Sequence, residues 1–180
     1  MEAYIIFEGL IDQQATQRLV DTIKKFEKGG VTKINILFSS LGGSIYEGFL
    51  ISTIIQNSKI LISLHATNHI DSIANVIYLS APERTSESYA KFYMHGASTG
   101  QGNFDEKALQ DQFTAIKTHN TRIAHFISEN SKLPLQKVQQ MMGVGTTITA
   151  QKALEYGVVQ QIVHKEVPKN LNHEEIIYIN

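Results

Sequence analysis

The chain has 180 residues, of which 42% are hydrophobic and 18% charged, with a formal net charge of −1 and no cysteine. This composition predicts one globular domain, and it argues against disorder and against nucleic-acid or anionic-membrane partners. The lack of cysteine excludes disulfides, thiolate metal sites and a cysteine nucleophile. Since no segment is typical of a secretory signal or a membrane span, we expect a cytoplasmic protein.

Strand-like and helix-like segments alternate along the first half of the chain. The strand-like segments are short runs of β-branched and aromatic residues, and the helix-like ones carry apolar residues at helical spacing. This alternation predicts crossover connections and a mainly parallel sheet that is buried on both faces. The predicted elements are strands at 4–7, 34–38 and 60–64, and helices from Asp12 to Gly29, at 45–56 and from about Ser72 to Pro82.

The second half is dominated by one long helical pattern at residues 105–128, after a predicted strand at 91–94. The apolar stripe of this helix is narrow, so we expect the helix to project toward a partner. The stripe consists of Leu109, Phe113, Ile116, Ile123 and Ile127. Shorter helices are predicted from Pro134 to about residue 142 and, after an N-cap at Thr149, at residues 150–156. A last strand is predicted at residues 158–163. The apolar run at 176–179 is not assigned to any element.

Three places in the sequence could carry chemistry. Gly42 and Gly43 lie between a buried strand and a helix, where backbone N–H groups suit a developing oxyanion, although a tight turn would also explain them. Ser72 opens the helix after the next strand, either as an N-cap or as a nucleophile. His95 ends the strand at 91–94 and could serve as the base, or have a structural role. The other histidines have no metal-ligand spacing, so no metal or cofactor is predicted.

In this order the parts resemble the Clp protease proteolytic subunits, the serine peptidase branch of the fold shared with crotonases. The matching motifs are Ser39-Ser40-Leu41-Gly42-Gly43, Ile70-Asp71-Ser72-Ile73, Tyr93-Met94-His95-Gly96 and, most specifically, the stretch from Thr149 through Tyr156-Gly157 to Val159. The resemblance implies an α/β Clp/crotonase fold, built from repeated ββα/βαβ units with a mainly parallel sheet and a protruding handle helix at 105–128. It divides the chain into a Clp protease-like domain at 1–165 and a tail at 166–180.

The resemblance also implies a serine-type endopeptidase that cleaves peptides or unfolded polypeptide. Ser72 would attack the peptide carbonyl and His95 would take the serine proton, while the N–H groups of Gly43 and Ile73 would form the oxyanion hole. The handle helix further implies a homo-oligomer, as a ring or stacked rings.

The position of the family's triad aspartate falls on Gly145, and no carboxylate lies between Lys132 and Lys152. The third triad member is therefore unassigned, with Thr146, Thr147 or a backbone carbonyl as alternatives. Loss of the orienting aspartate elsewhere costs about 10⁴-fold in turnover.

Two further departures affect the expected activity and partners. Asp71 places a carboxylate next to the nucleophile, where its charge would oppose a developing oxyanion. The first strand begins close to Met1, so docking to a Clp-type ATPase unfoldase in the usual way is not expected. Two alternatives to the peptidase remain open: a weakly active or inactive ring scaffold or regulatory subunit, and a crotonase-like enzyme acting on acyl-coenzyme A thioesters.

Overall fold

Strands and helices alternate through most of the chain in the computed structural model, which describes residues 1–100, 102–171 and 176–180. These residues contain eight strands and six helices. The strands are β1 (Glu2–Glu8), β2 (Lys33–Ser40), β3 (Leu61–Asp71), β4 (Glu83–Ser86), β5 (Lys91–Met94), β6 (Thr146–Thr149), β7 (Gln161–Ile162) and β8 (Ile176–Ile179). The helices are α1 (Gln13–Lys28), α2 (Ile45–Asn57), α3 (Ala74–Ser80), α4 (Glu106–Glu129), α5 (Leu135–Val144) and α6 (Ala150–Glu155).

The strands form one sheet whose central order is β6-β5-β3-β2-β1-β8, with β4 beside β3 and β7 beside β4. Among the described strands every pair is parallel except β5 with β6. Besides β2, β3 is long enough to pair with two further strands, β4 along residues 63–66 and β5 along residues 69–71. The predicted mainly parallel α/β sheet is confirmed. Because β5 pairs with the C-terminal part of β3, it lies beside the nucleophile candidate, Ser72.

The core lies between one face of the sheet and helices α1, α2 and α3. Ile5, Ile36 and Leu64 point from the central strands into this layer and are at most 2% exposed. Burial of such a side chain stabilises the folded state by about 1.5–3 kcal/mol. Asp12 caps α1 as predicted, because its Oδ1 accepts the Ala15 N–H at 2.8 Å.

Helix α4 matches the predicted long helix, with Asp105 as its N-cap. Its C-terminal part is anchored by the buried Ile123 and Ile127, whereas Leu109 is 54% and Phe113 69% exposed. The first half of the helix therefore leaves the body of the domain. No helix in the described parts of the chain is both long and apolar enough to cross a bilayer.

The predicted strand at 158–163 is wrong in extent, since only β7 pairs there. Val158 and Val159 are apolar because they fill the core from the turn before β7, not because they are strand residues. The unplaced run at 176–179 forms β8, which lies parallel to β1 at the sheet edge. Arg18 holds this strand by donating to the carbonyl oxygens of Tyr178 at 2.6 Å and of Asn180 at 3.1 Å.

The sheet face opposite the core helices carries an acid–histidine cluster around the buried Glu87 and His65. Glu87 Oε1 lies 3.1 Å from His65 Nε2 and 3.0 Å from His164 Nδ1, and it accepts the Lys165 N–H at 3.1 Å. Burial acts to raise the pKa of Glu87, but the hydrogen bonds from Lys165, His164 and His65 lower it overall. Burial lowers the pKa of His65. The cluster fastens the segment after β7 to the sheet.

Candidate active site

Ser72 lies in a left-handed turn between β3 and α3. Its φ angle is 57°, a conformation that residues other than glycine seldom adopt and that costs about 1–3 kcal/mol. The Ser72 N–H donates to the Tyr93 carbonyl at 2.8 Å, which ties the turn to β5. The helix N-cap is Ile73, which makes no side-chain cap bond, so Ser72 does not cap α3. Its Oγ bonds to no described residue and is not sealed from solvent.

Asn75 holds this strained turn in place. Its side chain is fully buried, and Nδ2 lies 3.0 Å from the carbonyl oxygens of Ile70 and Tyr93 and 3.1 Å from that of Ser72. Sequence reasoning missed this residue. An asparagine among the apolar side chains of α3 was the available signal, because a buried amide must find hydrogen-bond partners.

The two glycines of the β2–α2 turn are required by close packing. A Cβ on Gly42, whose φ is 97°, would lie 2.7 Å from Ser72 Cβ, and one on Gly43 would overlap the Ile11 carbonyl oxygen. The Gly42 N–H donates to Ser40 Oγ at 3.1 Å. Within the described residues the N–H groups of Gly43 and Ile73 have no acceptor. Ile73 directly follows Ser72 in the chain, and Gly43 directly follows Gly42, which packs against Ser72.

His95 follows the end of β5, at the same sheet edge as Ser72, because Asp71 and Tyr93 are paired in the parallel β3–β5 ladder. The His95 Nδ1 lies 2.7 Å from the Gly96 carbonyl oxygen. A carbonyl only accepts, so Nδ1 carries the proton and Nε2 of the neutral ring is free to accept one. The Tyr93 ring stacks on His95, with centroids 4.9 Å apart and 22° between the planes.

The structure places no hydrogen bond between Ser72 Oγ and His95 within the described residues. In the absence of substrate, catalytic hydrogen bonds are often long and tighten only in the complex. The sheet therefore brings the predicted serine and histidine to one edge, without a hydrogen bond between their side chains.

Tyr93 occupies the space beside Gly145, the residue on which the resemblance places the family's triad aspartate. Gly145 has a φ of +70°, and a Cβ there would lie 2.8 Å from the Tyr93 hydroxyl oxygen. Of the alternatives that the sequence left open, Thr146 Oγ1 donates to the Met141 carbonyl at 3.0 Å and Thr147 is exposed. The backbone carbonyl of Gly96 is the acceptor that reaches His95 Nδ1.

The Asp71 carboxylate lies beside His69, whose Nδ1 is 3.5 Å from Asp71 Oδ2. The other carboxylate oxygen, Oδ1, is buried and has no partner within the described residues. Burial raises the pKa of the Asp71 carboxyl, and His69 offsets this only in part. A raised pKa makes the carboxyl easier to neutralise, which weakens its repulsion of an oxyanion formed near Ser72.

A cleft of about 410 Å³ opens beside Gly96, between α4 and α5. Its walls are mostly apolar, with polar groups at the edge. The lining includes Phe113, Ile116, Ala124 and Met142, together with Lys117 and Asn120. Its size and character fit one large apolar side chain of an extended ligand.

Comparison with known proteins agrees with this architecture. The model of the family described as Clp protease matches residues 1–166. The chain is 24% identical over 161 residues to the ATP-dependent Clp protease proteolytic subunit 3 of Rhizobium etli, covering 88% of this chain and 82% of that protein. It is 22% identical over 163 residues to the ATP-dependent Clp protease proteolytic subunit of Paracoccus denitrificans, covering 89% and 81% respectively.

Among solved structures, a point mutant of ClpP1 from Listeria monocytogenes superposes with a TM-score of 0.81, at 19% identity, over 91% of this chain and 92% of that one. This likeness establishes the fold. The predicted resemblance to the Clp protease family is thereby confirmed, and with it the Clp/crotonase fold. The chain belongs to the Clp protease family, the serine-type peptidases of this fold.

Proposed function

We propose that this protein is a serine peptidase that cleaves peptides or unfolded polypeptide with Ser72 as nucleophile and His95 as base. The observation that carries the proposal is the 2.7 Å contact between His95 Nδ1 and the Gly96 carbonyl oxygen. It supports the tautomer that a general base needs, without a carboxylate. Gly96 thus takes the third triad role that the sequence left unassigned. The family match supports this reading over the coenzyme A alternative.

In the first step His95 Nε2 accepts the Ser72 hydroxyl proton while Oγ bonds to the peptide carbonyl carbon. The carbonyl oxygen becomes an oxyanion, which the free N–H groups of Gly43 and Ile73 would bind. The tetrahedral intermediate collapses by breaking the C–N bond, and the imidazolium returns its proton to the leaving amine. Water then hydrolyses the ester by the same proton route, which restores the Ser72 hydroxyl.

A backbone carbonyl stabilises the imidazolium less than a carboxylate does, because it bears only a partial negative charge. Loss of the triad aspartate elsewhere costs about 10⁴-fold in turnover, and the carbonyl would recover part of that loss. We therefore expect a slow peptidase, with an apolar side chain of the substrate in the cleft beside Gly96.

Labelling with a fluorophosphonate probe tests the nucleophile and the base together. The wild type should be labelled, Ser72→Ala should not, and His95→Gln should be labelled at least tenfold more slowly. Ser98→Ala is the matched control, since Ser98 is an exposed serine close to His95 in the sequence. Equal labelling of wild type and Ser72→Ala would reject the peptidase.

The competing candidate is a ring scaffold or regulatory subunit without turnover. It is favoured by the lack of a carboxylate at Gly145 and by the open Ser72–His95 pair. It would be accepted if the wild type showed neither labelling nor peptide hydrolysis and still assembled.

The exposed apolar residues of α4 support a homo-oligomer, and we expect it whether the protein is a peptidase or a scaffold. Leu109 and Phe113 are too exposed for a helix that stays in water. Sedimentation should show a ring or stacked rings, and Phe113→Ser should shift the protein toward smaller species. A wild type that sediments only as a monomer would contradict this part of the proposal.

A further inference from the structure

The loop that follows His95 is fastened at two adjacent backbone groups. The Gly96 N–H donates to the Met142 carbonyl of α5 at 3.0 Å. The Ala97 N–H donates to Asn120 Oδ1 of α4 at 2.6 Å. Asn120 is half-buried near the middle of α4, and its amide lies against Gly96, where an added Cβ would be 3.4 Å from Nδ2.

The Gly96 carbonyl and the Ala97 N–H are the two ends of one peptide group. That group is planar and rigid, so an acceptor that fixes the N–H also fixes the direction of the carbonyl. Asn120 Oδ1 and His95 Nδ1 therefore hold the same peptide from opposite ends, in the order Nδ1–H···O=C–N–H···Oδ1. Hydrogen bonds arranged in such a chain polarise one another and become stronger together.

From this arrangement we infer that Asn120 is a positioning residue for His95, and this inference rests on the proposed function. Through the Gly96–Ala97 peptide it directs the carbonyl at Nδ1 and increases the negative charge on that oxygen. It thus supplies, from the handle helix, part of the orienting role that a carboxylate at residue 145 would have. Asn120 makes no hydrogen bond to the reacting atoms and acts on His95 through this peptide, although its side chain also lines the cleft beside Gly96.

Two substitutions separate this role from general packing. Asn120→Leu keeps the approximate volume and removes the acceptor, whereas Asn120→Asp keeps an acceptor oxygen in place. Loss of one neutral hydrogen bond predicts that Asn120→Leu lowers kcat about five- to tenfold, with KM changed less than about twofold. Asn120→Asp should retain at least half of the wild-type kcat. Thr118→Val is the control, because Thr118 lies on the same helix outside the cleft and bonds to the Thr114 carbonyl instead.

The tautomer of His95 gives a readout that does not depend on activity. In protein with ¹⁵N-labelled histidine, and with the His95 signals identified by His95→Gln, the wild type and Thr118→Val should show the proton on Nδ1. Asn120→Leu should shift the neutral ring toward the other tautomer, and Asn120→Asp should not. An unchanged Nδ1 proton in a folded Asn120→Leu would overturn the inference, as would a Thr118→Val that behaves like Asn120→Leu or an Asn120→Asp that loses as much as Asn120→Leu.

The two levels of proposal fail separately. If Ser72-dependent labelling is missing from the wild type, the peptidase is rejected, and the tautomer measurement still decides whether Asn120 orients His95. If Asn120→Leu does not fold, Asn120→Asp and Asn120→Ser test the same hydrogen bond. Asn120→Ser shortens the side chain and should show the changed tautomer, and an unchanged ring in that variant would overturn the inference.

Discussion

Restoring a carboxylate at residue 145 is the perturbation that best tests our account of the missing triad aspartate. By analogy with complete triads, Gly145→Asp should raise activity. The geometry predicts the opposite. An L-residue in the left-handed region costs about 1–2 kcal/mol, and at φ +70° the new Cβ would meet the Tyr93 hydroxyl at 2.8 Å.

To relieve this contact the Tyr93 ring must move, and that ring is stacked on His95. An aromatic contact of this kind contributes about 0.5–1.5 kcal/mol. The total loss is therefore about 2 kcal/mol, which corresponds to a Tm lower by about 4–8 °C for a domain of this size. The new carboxylate would also have to displace the Gly96 carbonyl from Nδ1 before it could contribute.

Thermal unfolding and the rate of fluorophosphonate labelling measure the two effects. We expect Gly145→Asp to have a lower Tm and no faster labelling than the wild type. Adding Tyr93→Phe should recover part of the Tm, because the colliding hydroxyl is removed. Gly30→Asp is the control, since Gly30 also has a positive φ, +75°, and a Cβ there meets nothing within 4 Å. A Gly145→Asp variant with unchanged Tm and labelling at least tenfold faster would refute the reasoning.

Three other predictions follow from contacts outside Gly145. Gly43→Ala should lower the free energy of unfolding by at least about 2 kcal/mol and abolish labelling, because its methyl group overlaps the Ile11 carbonyl. Denaturant titration measures the loss of stability, and unchanged stability or unchanged labelling would contradict the prediction. The pKa values of Glu87 and His65 are lowered from their ordinary values of 4.5 and 6.5. Each group contributes stability that is present above its ordinary pKa and is lost as the pH falls through the lowered pKa. The pKa of His164 is raised, so its contribution to stability is lost as the pH rises through the raised pKa. The Tm should therefore fall on acidification more steeply in the wild type than in Glu87→Gln. Equal slopes of Tm against pH in the two proteins would show that the Glu87 cluster does not cause the acid sensitivity. Arg18→Gln should cost about 1 kcal/mol or less and accelerate proteolysis of the C-terminal strand, with Lys24→Gln as the control.

The elements that sequence predicted well are those whose signal is local. Asp12 and Thr149 cap their helices through side-chain acceptors that sit a fixed number of residues from the donors. The strand at 91–94 is reproduced as β5 because its residues alternate between exposed and buried. Recognition of the two glycines was equally local, and close packing explains why a side chain is not accepted there.

The elements that were missed depend on partners distant in sequence. β4 and β6 are polar segments that become strands because β3 and β5 offer them free edges. β8 is defined by its pairing with β1, which no pattern within residues 176–179 could indicate. Sequence left a backbone carbonyl open as the acceptor for His95 but did not identify Gly96, because a contact between a ring nitrogen and the next residue's carbonyl depends on a side-chain rotation that sequence does not encode.

Asn75 and Asn120 illustrate the same limit within helices. Each is a polar residue on a helix, and sequence alone cannot separate a solvated amide from one that bonds to a backbone group across the fold. Burial decides the matter for Asn75, and the 2.6 Å bond to Ala97 decides it for Asn120.

The position of β8 also bears on solubility. A parallel sheet that ended at β1 would present seven residues of unpaired backbone to solvent, a template on which another chain could add a strand. β8 covers four of those residues, and Arg18 occupies two of the carbonyls along the new margin. Shortening the chain before residue 176 would uncover that template and favour aggregation through strand addition, even if Ser72 and His95 kept their places.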